Sequence, residues 1–422
     1  MRIWIGVILV IIIGCERAPE PTASNPDDLI EEEEKPLLPL VPDNYMPTQP
    51  LFGLGVELVT NAPTSITNIE FHPSNGKIYL IGLDGTIHEF DETSGQSSQI
   101  LDLNETRTVR LLMDLTFHPD FLNNGKVYLA FVVLENGSKR SKVSQFIVLG
   151  DPSNFEGIDI SSEVEILDWK QVTSDSHNVN NIKFGPKDGY LYVVGGDGGC
   201  CADTLNNGQN LKTLLGKTLR IDVDRQANGD QYSIPFDNPF VGIDTVNQAV
   251  FARGLRNPHR ITFDELGNLF IFDVGRGRRE EINFIAADDR SGPNFGWTIF
   301  EGTWCADENP LCPETRPLTR FPIFELKHPF SKAIIGGAIY ANPEIPELFG
   351  QVFFGDFNLG SIWSIGYDVA NNGIQNFWDI SGSVIAEDAF FGSPGLVSVN
   401  NDPEGNVYFV YLSGEVYKLT SG

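Results

Sequence analysis

Histidine, cysteine and methionine are scarce in this chain: 6 His, 5 Cys and 3 Met among 422 residues. The cysteines form no Cys-x-x-Cys and the histidines no His-x-x-x-His, so the spacings give a zinc site little support. Positive charge is short as well. With 29 Lys+Arg against 57 Asp+Glu, the formal net charge is −28. That balance argues against nucleic acid or an anionic membrane surface as the main partner, because both repel it. The apolar run at residues 3–13 is too short for a comfortable transmembrane helix, which needs about 20 residues. Segments of helical period and convincing length are missing, which disfavours α/β folds. With 41% hydrophobic residues, wholesale disorder is excluded, and the length is ample for a large core.

What the chain does have is 42 Gly, 26 Pro and 29 Phe, a composition that favours short strands joined by tight turns. One phrase recurs. Phe71-His72-Pro73-Ser74-Asn75-Gly76-Lys77-Ile78-Tyr79 returns as Phe117-His118-Pro119-Asp120 with Gly125-Lys126-Val127-Tyr128, and as Phe184-Gly185-Pro186 with Gly189-Tyr190-Leu191-Tyr192. It recurs again around Phe263 and Gly267, around Phe349 and Gly350, and around Pro403 and Gly405. Each copy is a turn followed by alternating β-branched and aromatic residues, the pattern of a strand that leaves a tight turn. Six copies at irregular spacing predict an all-β fold, a six-bladed β-propeller over residues 51–422 with roughly 60 residues per blade. A pair of β-sandwiches is the alternative.

Residues 1–14 read as a signal segment: Arg2 supplies a basic start, and the apolar run follows. Ile12-Ile13-Gly14-Cys15 resembles the lipobox of bacterial lipoproteins, which implies lipidation at Cys15, an exported protein at the periplasm, outer membrane or cell surface, and membrane contact only through the lipid. Residues 15–50, rich in Pro and carrying Glu31-Glu32-Glu33-Glu34, read as a disordered, extended tether.

An exported setting permits disulfides. Cys305 and Cys312 share a Pro/Asn-rich loop and are expected to pair. Cys200 and Cys201 are adjacent, so they could close only a strained ring; a vicinal disulfide, two free thiols or a metal site are the options.

Propeller chemistry usually sits on loops at one rim. Two loops stand out. His177 precedes the third phrase and Asp197 follows it. A loop histidine near a carboxylate suits a general base, and a structural turn histidine is the plainer reading. The second loop, Gly254-Leu255-Arg256-Asn257-Pro258-His259-Arg260, is followed by the arginine cluster Arg276-Gly277-Arg278-Arg279. Planar guanidinium groups suit an anionic or carbonyl-bearing ligand, or they balance nearby carboxylates.

Several motifs in order make a further resemblance specific. They include Leu111-Leu112-Met113-Asp114-Leu115-Thr116-Phe117-His118-Pro119, the 177–199 segment, Leu215-Gly216-Lys217-Thr218-Leu219-Arg220-Ile221-Asp222, the 254–260 loop, Glu280-Glu281-Ile282-Asn283 and Asn294-Phe295-Gly296-Trp297. Residues 64–420 resemble the soluble glucose dehydrogenase/aldose sugar dehydrogenase family, six-bladed propellers that use pyrroloquinoline quinone (PQQ) and calcium. The Cys305/Cys312 loop also looks like relatives near the hedgehog-interacting protein that are not proven enzymes.

By that resemblance His177 matches the catalytic base, Asp197 the carboxylate that orients it, and Arg256 the cation that stabilises charge on the quinone. Asn257 matches a PQQ contact. The carbonyls of Gly275 and Arg276 match a calcium site that also holds PQQ, and Glu281 with the carbonyl of Phe295 matches a second calcium site. The chain departs from the family pattern where cations anchor PQQ: a lysine is replaced near Asn358, and an Arg-x-Arg pair near Gly395-Leu396-Val397. Lys332 or Arg276 could substitute. The resemblance implies oxidation of an aldose at C1 to the lactone, a small sugar as substrate and an external electron acceptor. The alternative is a PQQ-free propeller that binds carbohydrate or protein.

Overall fold

The computed structural model describes residues 46–50, 53–171, 176–199, 202–306, 309–382, 384–385 and 391–422. Cys15, the leader, most of the tether and the Cys200/Cys201 pair lie outside the described residues.

Six mainly antiparallel sheets, the blades, follow one another along the chain, with a two-stranded sheet of Phe300–Glu301 and Trp304–Cys305 inserted in the fourth. The first blade comprises Ile66–Phe71, Ile78–Gly82, Thr86–Asp91 and Gln96–Asp102. The second comprises Val109–Phe117, Lys126–Glu135, Ser138–Leu149 and Gly157–Lys170. The third is Val179–Phe184, Leu191–Gly195, Lys217–Ile221 and Val250–Arg253, and the fourth Pro258–Phe263, Leu269–Asp273, Arg279–Ile285 and Phe324–Lys327. Ile334–Ile339, Gln351–Asp356, Ile362–Asp368 and Gly373–Asp379 make the fifth. The sixth takes Leu396–Asn401, Val407–Tyr411 and Glu415–Ser421, and is completed by Leu54–Asn61 from the other end of the chain. The first strands of successive blades touch in a closed cycle, from the first blade through the sixth and back. This is the expected six-bladed propeller.

The recurring phrase is the turn between the first and second strand of every blade. Its glycine adopts positive φ in all six copies: Gly76, Gly125, Gly189, Gly267, Gly350 and Gly405. Only a residue without Cβ takes that conformation at little cost. The aromatic residues of the phrase then join blade to blade. Tyr79 meets Phe117 with ring centroids 5.5 Å apart, Tyr128 meets Phe184 at 5.4 Å, Tyr192 meets Phe263 at 5.0 Å, and Tyr408 meets Phe71 at 4.8 Å across the closing seam. Tilted and edge-on pairs of this kind add about 0.5–1.5 kcal/mol each beyond their burial. The phrase repeats because each copy builds half of a seam.

The propeller axis is closed by polar side chains. The register of each first strand shifts near its start, and bulges of this kind re-aim side chains. Asp114 of the second blade accepts from Asn68 Nδ2 of the first and Asn181 Nδ2 of the third. Arg260 of the fourth blade donates to the carbonyls of Asn180 (2.9 Å) and Thr67 (2.5 Å) and to Ser398 Oγ (3.2 Å), tying itself to the third, first and sixth blades. The space left between these groups is about 10 Å³.

The tether boundary needs correction. Thr48 forms a bridge with Trp378 on the outer strand of the fifth blade, its N–H donating to Phe377 O, and Gln49 Nε2 donates to Gly382 O. Residues 46–50 are therefore attached to the propeller, because an exposed strand edge offers them backbone partners.

Candidate active site

His177 stands two residues before the first strand of the third blade, with φ of 58°. A side chain at positive φ is held there only when its surroundings impose it. Gly196 is part of that surrounding: a Cβ on it would lie 2.5 Å from His177 Cβ. The imidazole is buried, and its Nδ1 lies 2.6 Å from Asp197 Oδ1. Gly199 N–H donates to the same oxygen, and Trp297 Nε1 donates to Oδ2 at 2.8 Å. A carboxylate that accepts from these donors takes the proton on Nδ1 as well, which leaves Nε2 as the accepting nitrogen. Burial lowers the His177 pKa from its ordinary value. Asp197 opposes that shift and the Arg256 charge adds to it, so the ring is neutral at neutral pH.

Arg256 reaches the same rim from the fourth blade. Its own N–H donates to Asp273 Oδ2 (2.9 Å) and that of Asn257 to Oδ1 (2.7 Å), so one carboxylate fixes both residues. The Arg256 carbonyl accepts from Asp197 N–H at 2.8 Å, which joins the two loops directly. Nη1 donates to the carbonyls of Val274 and Gly275, and the guanidinium carbon lies 5.6 Å from the centre of a Trp297 ring. Nε and Nη2 are buried and have no hydrogen-bond partner among the described residues. Two orphaned N–H groups on a buried cation fit a carbonyl-bearing or anionic ligand, and hence the quinone oxygens of PQQ.

Behind the pair, Lys217 is fully buried and donates to the carbonyls of Asn207, Gly208 and Leu215; burial pushes it down to about 7. Asn207 Nδ2 in turn donates to Asp197 O, so this loop backs the carboxylate.

Beside Trp297 lies a cavity of about 330 Å³ lined by Arg276, Trp297, Glu301, Trp304 and, from the loop closed by the Cys305–Cys312 disulfide, Asn309 and Pro310. A larger cavity of about 850 Å³ opens near Arg253, Tyr367 and Leu318 and shares no residue with the His177–Arg256 site.

His177, Asp197, Arg256 and Asn257 thus come together as expected, Gly275 joins through its carbonyl, and Arg276 lines the adjoining cavity. The groups expected to hold calcium are engaged within the protein. The Gly275 carbonyl already accepts from Arg256, and the Glu281 oxygens accept from Gly302 N–H and Asn283 Nδ2. Burial holds the Glu281 carboxyl above its usual range, and neighbouring Asp273 adds to that. Phe295 packs in an apolar cluster with Ile261 and Leu269. Among the described residues no three His, Cys, Asp or Glu side chains gather as a metal site. No chemistry is derived through calcium. Trp297 and Asp273 were not expected as site residues.

A family model, Glucose / Sorbosone dehydrogenase, matches residues 64–418. The chain belongs to this family. The HIPL2 protein of Arabidopsis thaliana is 30% identical over 357 residues, which cover 70% of this chain and 49% of that protein. The aldose sugar dehydrogenase YliI of Escherichia coli is 25% identical over 257 residues, 58% of this chain and 61% of the relative. Human Hedgehog-interacting protein is 27% identical over 262 residues, 59% of this chain and 33% of that protein. The chain spans about half the length of its plant relatives. Among solved structures, the apo-form of the soluble aldose sugar dehydrogenase from Escherichia coli shares the fold with a TM-score of 0.69 at 20% identity, covering 87% of this chain and all of that one. The PQQ-bound form of an aldose sugar dehydrogenase from Streptomyces coelicolor gives 0.63 at 17%, covering 89% of this chain and all of that one.

Proposed function

We propose that the rim site oxidises an aldose at C1 to the lactone with PQQ as cofactor and an external electron acceptor. The observation that carries the reading is the convergence of a neutral, carboxylate-oriented His177 with the two unpartnered N–H groups of Arg256. Bound PQQ supplies the hydride-accepting quinone. His177 Nε2 takes the proton of the C1 hydroxyl, and Asp197 holds the ring and stabilises the imidazolium that forms. Arg256 directs fixed N–H donors to the oxygen on which negative charge grows, and its cost of ordering is already met by Asp273 and Gly275. The 330 Å³ cavity, with Trp297 and Trp304 in its wall, has the size and the aromatic faces for a sugar ring. The same reading keeps the protein outside the cytoplasm, held by lipidated Cys15.

A second reading is favoured by the plant and Hedgehog-interacting relatives, which match at 30% and 27% identity against 25% for YliI. In that reading the rim binds a carbohydrate or protein partner without PQQ. Reconstitution separates the two. The purified apoprotein with PQQ, with and without calcium, should reduce an artificial acceptor on a panel of aldoses. Absence of PQQ binding in both conditions supports the binding propeller instead.

A further inference from the structure

We propose that the cavity of about 850 Å³ between the third strands of the fourth and fifth blades is a binding site for a small carboxylate carried on an aromatic or other apolar body. The site stands apart from the rim, and its occupancy does not depend on what the rim binds. Cavities of this size hold small organic molecules by mostly apolar walls and a few placed polar groups. Here Phe284 of the fourth blade and Tyr367 of the fifth meet with ring centroids 5.0 Å apart, and Phe321 and Leu318 extend the apolar wall. The mouth is open to solvent: Leu318 is 75% exposed and Val369 42%.

Arg253 supplies the charge. It ends the fourth strand of the third blade, and a loop of the fourth blade holds its backbone: its N–H donates to Pro293 O (3.0 Å) and its carbonyl accepts from Phe295 N–H (2.9 Å). The half-buried side chain lines the cavity, with Nε buried and without a hydrogen-bond partner. No carboxylate among the described residues forms an ion pair with it, and burial lowers its pKa. The residue in register with it on the neighbouring strand is another cation, Lys217, whose ammonium is given to loop carbonyls.

The other charged groups of the wall are engaged. Arg320 pairs with Asp289, whose other oxygen accepts from Ser291 N–H. Arg316 lies over the Phe300 and Phe321 rings, 5.2 Å from each centroid. Asp289 is thereby occupied, and Arg253 keeps an uncompensated charge. A guanidinium partly removed from water without a counter-charge is costly to the fold. The chain has 57 Asp+Glu, yet none of the described ones meets this arginine. A planar cation in the wall of an aromatic-lined cavity suits a ligand whose carboxylate takes the guanidinium and whose apolar body fills the remaining space.

The test is equilibrium binding of naphthalene-2-carboxylate to the full chain, followed by fluorescence. Wild type should bind it about tenfold or more tightly than the neutral naphthalene-2-carboxamide. Arg253→Met should weaken binding of the carboxylate about 10–100-fold, the size of one charge-assisted contact, and erase the preference over the amide. Its thermal melt should be no lower than that of wild type, because the substitution deletes an uncompensated charge. Leu318→Asp sets a negative charge on an exposed position at the mouth, so it should weaken the carboxylate about tenfold with folding unaffected; it decides the matter should Arg253→Met melt lower. Absence of wild-type binding, or equal binding of acid and amide, overturns the site. Both variants keep every rim residue, so carboxylate binding that is unchanged in them places the probe elsewhere and also overturns it.

Discussion

The indole N–H of Trp297 donates to Asp197 Oδ2 on the side of the carboxylate opposite His177, 2.8 Å away and 100 residues on in the chain. The bond does two things: it fixes the carboxylate plane and draws charge from it. Trp297→Phe should therefore lower kcat about tenfold, the scale of one hydrogen bond to a charged group. Without that donor Asp197 stabilises the imidazolium more, so the acid limb of the pH–rate profile should move to higher pH. A lower rate with an unmoved limb would mean that Trp297 only fills space.

The protonation of His177 sets a second expectation. Burial, with help from Arg256, holds its pKa below 6.5, so the ring acts as a base through neutral pH. The rate should be flat from about pH 7 upward and fall only below the ordinary histidine value. His177→Ala should cut turnover about 10²–10⁴-fold while PQQ affinity is kept. Steady-state rates across pH and PQQ titration of the variant check both. For stability the sign is the same: the folded protein resists protonation here, so this residue contributes a loss of stability as pH falls below the unfolded value near 6.5.

Arg260 offers a prediction about the fold. It is buried, its pKa is pushed down to about 10, and its charge lowers that of Asp114, which burial raises. Arg260→Met would remove the main cation acting on Asp114 and the guanidinium that donates to the Asn180 and Thr67 carbonyls. A loss of about 3–5 kcal/mol in unfolding free energy is expected, the usual cost of breaking a buried charge arrangement from one side. Urea titration followed by tryptophan fluorescence measures it.

The anchoring reading has its own check. Cys15→Ser should abolish lipid-labelled, detergent-partitioning protein in the producing cell. An unchanged detergent-phase band would rule out lipidation at that position.

The blades were legible because their signal is local: a positive-φ glycine and its flanking aromatics lie within one short phrase, and the seams reuse the same residues. His177, Asp197, Arg256 and Asn257 could be placed because they flank two such phrases and carry family text. What stayed hidden depends on contacts distant in sequence. Nothing near Trp297 announces Asp197, and nothing near Arg260 announces Thr67, 193 residues away. The surroundings of the expected calcium carbonyls were hidden for a related reason: a sequence lists backbone carbonyls without saying which donors reach them, and here Arg256 reaches Gly275. The attachment of Thr48 was missed because a single bridge leaves no periodic pattern.

Closure of the ring by Leu54–Asn61 has a mechanical consequence. That strand is antiparallel to Glu415–Ser421 and paired with it from Leu54 to Asn61, with one bulge between Leu58 and Thr60, so a pull on the amino-terminal end acts along the strand. Its hydrogen bonds are then stressed together in shear rather than opened one after another. The Thr48–Trp378 bridge lies upstream and would give way first, a weak fuse ahead of a strong clasp. A propeller held by its first residues to a moving surface could lose that outer contact without opening the ring on which its rim site depends.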